Sequence, residues 1–155
     1  MKDETFLQRS LALAEESTAK GNLPFGCLLV DSTGSILEEA GNTVSTDKNP
    51  IAHCELNLVQ QMAGKYTASF LQNCTIYCSV EPCPMCAGAI YWSGIGRIVF
   101  ALDTNTYNAI GQVDTAALFE IPCQEIVEKG GRKVEVVGPA FHKEAVEFYR
   151  SLLKQ

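Results

Sequence analysis

The sequence predicts a three-layer α/β domain, a mixed and largely parallel β-sheet covered by helices on both faces. Three observations carry this. Stretches with helical spacing alternate with short runs rich in β-branched and aromatic residues. Some of those runs are apolar almost throughout, as strands buried on both faces are. Turn clusters of Gly, Asn, Asp, Ser and Pro punctuate the alternation, and no internal repeat, linker or low-complexity stretch divides it.

The elements follow in order. From Thr5 to Ala19 the residues Phe6, Leu7, Leu11, Leu13 and Ala14 recur at helical spacing, and "KGN" stops the run. "FGCLLV" and "ILEEAG", joined through the turn cluster "DSTGS", read as two strands of a hairpin. "NTVSTDKNP" is a loop whose Pro50 precedes the helical stretch "IAHCELNLVQQMAG". "CTIYCSV" is a strand, and "PMCAGAIYWSG" is a helix whose proline suits the first turn. "RIVFAL" and "KVEVVGP" are strands, separated by "DTNTYNAIGQVDTAALFE", an irregular segment with room for one or two helical turns. "FHKEAVEFYRSLLK" closes the chain as an amphipathic helix with Phe141, Ala145, Phe148 and Leu152 on one side.

Composition narrows the function. The 155 residues suit one domain, 1–155, which buries roughly 70% of its unfolded surface. Apolar content of 46% with 19% charged residues is globular rather than disordered composition. The formal charge is −6 with no basic run, whereas a protein that grips a phosphate backbone shows a basic stripe. A small substrate is therefore expected, with no nucleic acid and no membrane. "MKDETFLQRS" lacks the apolar core of a secretory signal, and no apolar stretch is long enough to span a bilayer. Seven cysteines, an odd number without an export signal, point to metal binding or plain burial rather than a disulfide framework. A cytoplasmic protein is expected.

Two fragments carry chemistry, "HCE" at 53–55 and "EPCPMC" at 81–86. Cys83 and Cys86 are an i, i+3 pair at a predicted helix start, where the helix N-terminus favours thiolates. His53 lies in the first turn of another predicted helix. Each helix follows a strand, and strands neighbouring in a parallel sheet would bring both helix starts to one edge. Three zinc ligands result, one short of the four of a structural site, so the fourth position is left for water. Glu55 stands close enough to that position to take and return a proton. His142, the other histidine, has no ligand-spaced companion, and Cys54 points about 100° around its helix from His53. Alone, a CxxC can equally be buried thiols or half of a structural zinc knuckle, and an HxE arises by chance. Together, H-x-E and P-C-x-x-C form the signature of zinc nucleobase deaminases.

With "HCE" and "SVEPCPMCAGAIYW", the chain resembles the cytidine deaminase-like zinc deaminases over nearly its whole length. "PFG" at 24–26, "GN" at 41–42 and "GAIYW" make it most similar to bacterial guanine deaminases and related small nucleobase or nucleoside deaminases. The resemblance implies a five-stranded mixed sheet, one zinc held by His53, Cys83 and Cys86, Glu55 as general acid and base, and a homodimer. It implies hydrolytic release of ammonia from a base, guanine to xanthine first, with cytosine, another pyrimidine or a nucleoside as the alternative and adenosine in transfer RNA as a further one. Asn42 matches an asparagine that hydrogen-bonds the base, although Asn is also a common turn residue. Phe25 and Trp92 match aromatic positions near the base, Asp114 matches an acidic residue that contacts the purine, and backbone groups around Ala52 and Glu81 would line the pocket. Two departures stand out. Cys54 replaces a small residue and crowds the metal's edge, and "SLLKQ" lacks the terminal aromatic of some guanine deaminases. A dimer would use the small-residue face of Ala87, Gly88 and Ile90.

Overall fold

The computed structural model describes residues 2–154 and shows one five-stranded sheet between two helical layers. The chain runs α1 (Asp3–Ala19), β1 (Gly26–Val30), β2 (Ile36–Gly41), α2 (Val44–Asp47), α3 (Cys54–Met62), α4 (Ala68–Leu71) and β3 (Thr75–Val80). It continues through α5 (Pro84–Ser93), β4 (Arg97–Leu102), α6 (Thr104–Gly111), a 3₁₀ turn (Thr115–Ala117), α7 (Cys123–Val127), β5 (Glu135–Val137) and α8 (His142–Leu152). The strand order is β2-β1-β3-β4-β5.

Pairing of β1 with both β2 and β3 is antiparallel, whereas β3, β4 and β5 are parallel. The sheet is thus half parallel in its pairings, less than the sequence suggests. The expected adjacency of the strands preceding the two site helices also fails, because β1 is inserted between β2 and β3. The consequence survives the correction. Two reversals cancel, so β2 and β3 point the same way and α3 and α5 still begin at one sheet edge.

Residues on β1, β3 and β4 alternate between two cores, which explains why these strands are apolar nearly throughout. Cys27, Leu29, Ile76, Cys78, Ile98 and Phe100 face the layer of α3, α5 and α7. Leu28, Val30, Tyr77, Val99 and Ala101 face the layer of α1 and α8. Helix α1 crosses β1 so closely that a Cβ on Gly26 would stand 2.5 Å from Leu13 Cβ and 2.6 Å from the Ala14 nitrogen.

Several local expectations change. The buried stripe of α8 is Ala145 and Tyr149, one turn apart, with Phe141, Phe148 and Leu152 only flanking it. Tyr149 is wholly buried and its hydroxyl donates to the Pro24 carbonyl at 2.8 Å, so a tyrosine fills a core position with its polar end satisfied. The segment after β4 holds the two helical turns it had room for, as α6, started by Asp103, whose carboxylate accepts the Thr106 N–H at 3.1 Å. Ala87 and Ile90 on α5 are buried in this chain's own core and cannot form the dimer face assigned to them; Gly88 has open space around it. Among the described residues, no helix is long and apolar enough to cross a membrane.

Candidate metal centre and active-site cavity

His53 and Cys83 occupy equivalent places, each the residue immediately before the first turn of a helix, α3 and α5 respectively. Both have extended backbone, which a residue entering a helix adopts, and Pro84 fits the first position of α5 because a first-turn N–H has no helical partner anyway. Cys86 follows one turn in. The three ligand atoms lie within 4.8 Å of one another, with His53 Nδ1 at 3.5 Å from Cys83 Sγ and 3.6 Å from Cys86 Sγ. A tetrahedral zinc with ordinary bond lengths separates its nitrogen and sulfur ligands by about 3.6 Å. The donor set and its spacing therefore fit zinc without rearrangement.

Electrostatics agree with thiolate character at one sulfur. Hydrogen bonding from Cys86, aided by His53, holds Cys83 down at about 4. Cys86, bonded to that thiolate and buried, is pushed up, while bonding to Cys83 raises His53. Glu55 is 7% exposed, and this burial pushes its carboxyl up.

His53, Cys83 and Glu55 form the floor of a cavity of ≈310 Å³, at the small end of ligand pockets (about 300–1,000 Å³), with Cys86 buried beneath it. Leu23, Phe25 and Val80 make an apolar wall. Asn42 also lines the cavity, and its setting is unusual. Its N–H donates to the Phe25 carbonyl at 3.0 Å, its carbonyl accepts from Ser17 Oγ at 2.6 Å, and its side-chain Oδ1 accepts the Val44 N–H at 3.0 Å. The last bond fixes which way the amide points, since a flipped amide would set two donors against each other. Nδ2 is thereby left buried with no partner among the described residues.

Three of the expected contact residues do not reach the cavity. Trp92 is 85% exposed and packs edge-on against Tyr91. It lies nine residues beyond Cys83, a rise of about 13 Å along the helix, too far from the floor to touch a base. Asp114 is exposed and caps the 3₁₀ turn by accepting the Ala116 N–H at 3.0 Å. Ala52 is buried behind the site, its carbonyl taken by the Thr43 N–H and by Asn57 Nδ2. Glu81 does border the cavity, but its two carboxylate oxygens accept the Thr104 and Cys123 N–H groups at 3.2 and 3.0 Å, bracing the far wall. Nor does Cys54 crowd the metal, because its side chain turns into the core.

The far wall escaped the sequence reading. Thr104, Tyr107 and Asn108 present one face of α6 at i, i+3, i+4 spacing, and the Asp103 cap was the available signal. Leu118, Phe119 and Glu120 complete the rim, with Asn108 Nδ2 donating to Glu120 Oε1. Glu120, rather than Asp114, is the rim's acidic group.

The family model for the cytidine and deoxycytidylate deaminase zinc-binding region matches residues 1–102. A probable cytosine deaminase of Schizosaccharomyces pombe is 34% identical over 147 residues, 94% of this chain and 88% of that one. Guanine deaminase of Bacillus subtilis is 37% identical over 128 residues, 81% of each chain; a crystal structure of guanine deaminase from that organism superposes with a TM-score of 0.61, over 79% of this chain and 83% of its own. A tRNA-specific adenosine deaminase of Haemophilus influenzae is 38% identical over 109 residues, 70% of this chain and 63% of that one.

Proposed function

Since this chain belongs to the cytidine and deoxycytidylate deaminase family of zinc-binding proteins, we propose that it hydrolyses a free nucleobase, guanine to xanthine, with release of ammonia. The observation that carries the reading is the unpartnered Asn42 amide, a buried donor beside a cavity whose floor joins His53 and Cys83 of the metal triad to the Glu55 carboxylate. Zinc, when bound by those three residues, activates water for attack on the ring carbon that carries the exocyclic amine.

Everything else is work for the chain. Asn42 Nδ2 donates to a ring acceptor and so fixes which ring edge meets the floor. Glu55 takes a proton from the nucleophile, passes it to a ring nitrogen, and delivers the next to the departing amine. Its buried, upward-shifted carboxyl suits a group that must both gain and lose a proton near neutrality. Phe25 and Val80 flank the flat base and exclude water. At the rim, the Glu120 carboxylate accepts a ring N–H, which a free purine offers and a nucleoside blocks with its sugar.

Cytosine is the second reading, favoured by the nearly full-length match to the S. pombe protein. Editing of transfer RNA suits the chain less, because a net charge of −6 opposes a phosphate backbone. The zinc-loaded protein is to be assayed by ammonia release from guanine, guanosine, cytosine, cytidine and adenine. Guanine should be the substrate and guanosine should fail; turnover of cytosine alone would replace the first reading by the second. We also propose a homodimer that uses the outer face of α5, where Met85, Gly88, Ala89 and the exposed Trp92 fall at i, i+3, i+4, i+7. Sedimentation showing only monomer at micromolar protein would remove it.

A further inference from the structure

Between the histidine of the metal triad and the carboxylate that moves protons stands Cys54, which neither role uses. It is 1% exposed, and its side chain lies in the core shared by α3 and α5. Its sulfur nevertheless reaches the site from behind, with Sγ 2.8 Å from Glu55 Oε1. Among the described residues, no other side chain donates to that carboxylate. The Cys27 thiol on β1 lies against Cys54, and Cys27 stands opposite Cys78 in the antiparallel pairing of β1 with β3. Cys54 is therefore packed on its far side by the sheet and has little freedom to turn away.

The direction of the bond follows from chemistry. A thiol carries one hydrogen, and an ionised carboxylate can only accept. Cys54 donates, Glu55 receives, and the receiving oxygen is pinned to the core side. The other oxygen, Oε2, receives no side-chain donor among the described residues. We propose that Cys54 is a positioning residue for Glu55: its thiol anchors Oε1 so that proton transfer runs through Oε2 in one orientation. The inference rests on the deaminase reading, for which it supplies the device that aims the base. A small core-filling thiol would occupy the same space, and the two roles part when the donor is removed without changing the volume.

The experiment compares Cys54→Val, which fills the space without a donor, with Cys54→Ser, which restores a donor. Each is to be zinc-loaded and assayed on the base that the wild-type protein deaminates. For Cys54→Val, kcat should fall roughly tenfold, the weight of one hydrogen bond to a charged group, with KM and zinc content little changed. Cys54→Ser should recover most of the lost kcat. Wild-type kcat in Cys54→Val, or Cys54→Ser as slow as Cys54→Val, would overturn the proposal. Infrared spectroscopy reads the contact independently of turnover: the S–H stretch that disappears in Cys54→Val should shift in Glu55→Gln, and a band that does not move overturns the bond itself. A wild-type protein inactive on every base would refute the deaminase reading, whereas the S–H band would still report whether Cys54 holds Glu55.

Discussion

Asn42→Ala separates what a residue does for the fold from what it does for the ligand. The side chain makes one useful bond in the protein, Oδ1 to the Val44 N–H, worth about 0.5–1.5 kcal/mol. Against this stands Nδ2, buried without a partner among the described residues, which costs about 1–3 kcal/mol. The backbone bonds of Asn42 to Phe25 and Ser17 survive the substitution, and the vacated volume opens onto the cavity, where water can fill it. Stability should therefore be unchanged or rise by about 1 kcal/mol, which for a domain of this size is roughly 2–4 °C in Tm. Activity should move the other way. A base acceptor that loses its positioned donor loses about 1–3 kcal/mol, or roughly 5- to 150-fold in kcat/KM. The assay is thermal unfolding beside steady-state ammonia release, both on zinc-loaded protein. A clear fall in Tm with kcat/KM preserved would show that Asn42 is a brace for the loop before α2 and would refute its assignment to the substrate.

Three further outcomes follow from the same geometry. Chelation of the metal, or Cys86→Ser, should abolish turnover and lower Tm, because a ligand present at 1,000 times its dissociation constant stabilises by about 4 kcal/mol; calorimetry with and without added zinc measures this. Hydrogen bonds from Arg97 and Arg9 hold the Asp3 and Glu39 carboxyls below the usual range. Their stabilisation is complete above the unfolded values near pH 4 and lost as pH falls through the lower folded values, so urea midpoints should drop below about pH 4–5 and drop less in Asp3→Asn. Gly26→Ala should cost about 3 kcal/mol, since its Cβ would meet Leu13 at 2.5 Å and the α1 backbone at 2.6 Å, whereas Gly88→Ala, with nothing within 4 Å, should be neutral or stabilising; thermal unfolding of both checks the contrast.

The parts of the site legible in the sequence are those fixed by local spacing. Cys83 and Cys86 are one turn apart behind a proline, and Glu55 is two residues from His53, so their mutual placement needs only helix geometry. Joining the two fragments needed a topology. That step reached the right edge through the wrong neighbours, since a strand inserted antiparallel on both sides leaves no mark on its own sequence. Trp92 shows the opposite failure, for the helix rise alone would have excluded it. The short helices α2, α4 and α7 were invisible because helices of four or five residues carry less than two turns of periodicity. Glu120 had no signal at all: it is an ordinary loop acid whose place is set by Asn108 across the rim.

The boundary of the family match gives this unevenness a physical reading. Residues 1–102 hold the metal triad, Glu55, Asn42 and the apolar wall, and all of these but Leu23 stand in or beside the first turn of a helix or the end of a strand. The remaining wall, from Thr104 on α6 to Glu120, begins two residues beyond the end of that match. Chemistry that requires placement to a fraction of an ångström sits on the part of the scaffold that packing holds, whereas the opposite wall of the cavity is built from a short helix and a loop. Relatives with 34–38% identity can therefore carry the names of cytosine, guanine and tRNA adenosine deaminases. If that division holds, the metal centre and Glu55 set whether an amine is removed, and residues 104–120 set from which ring.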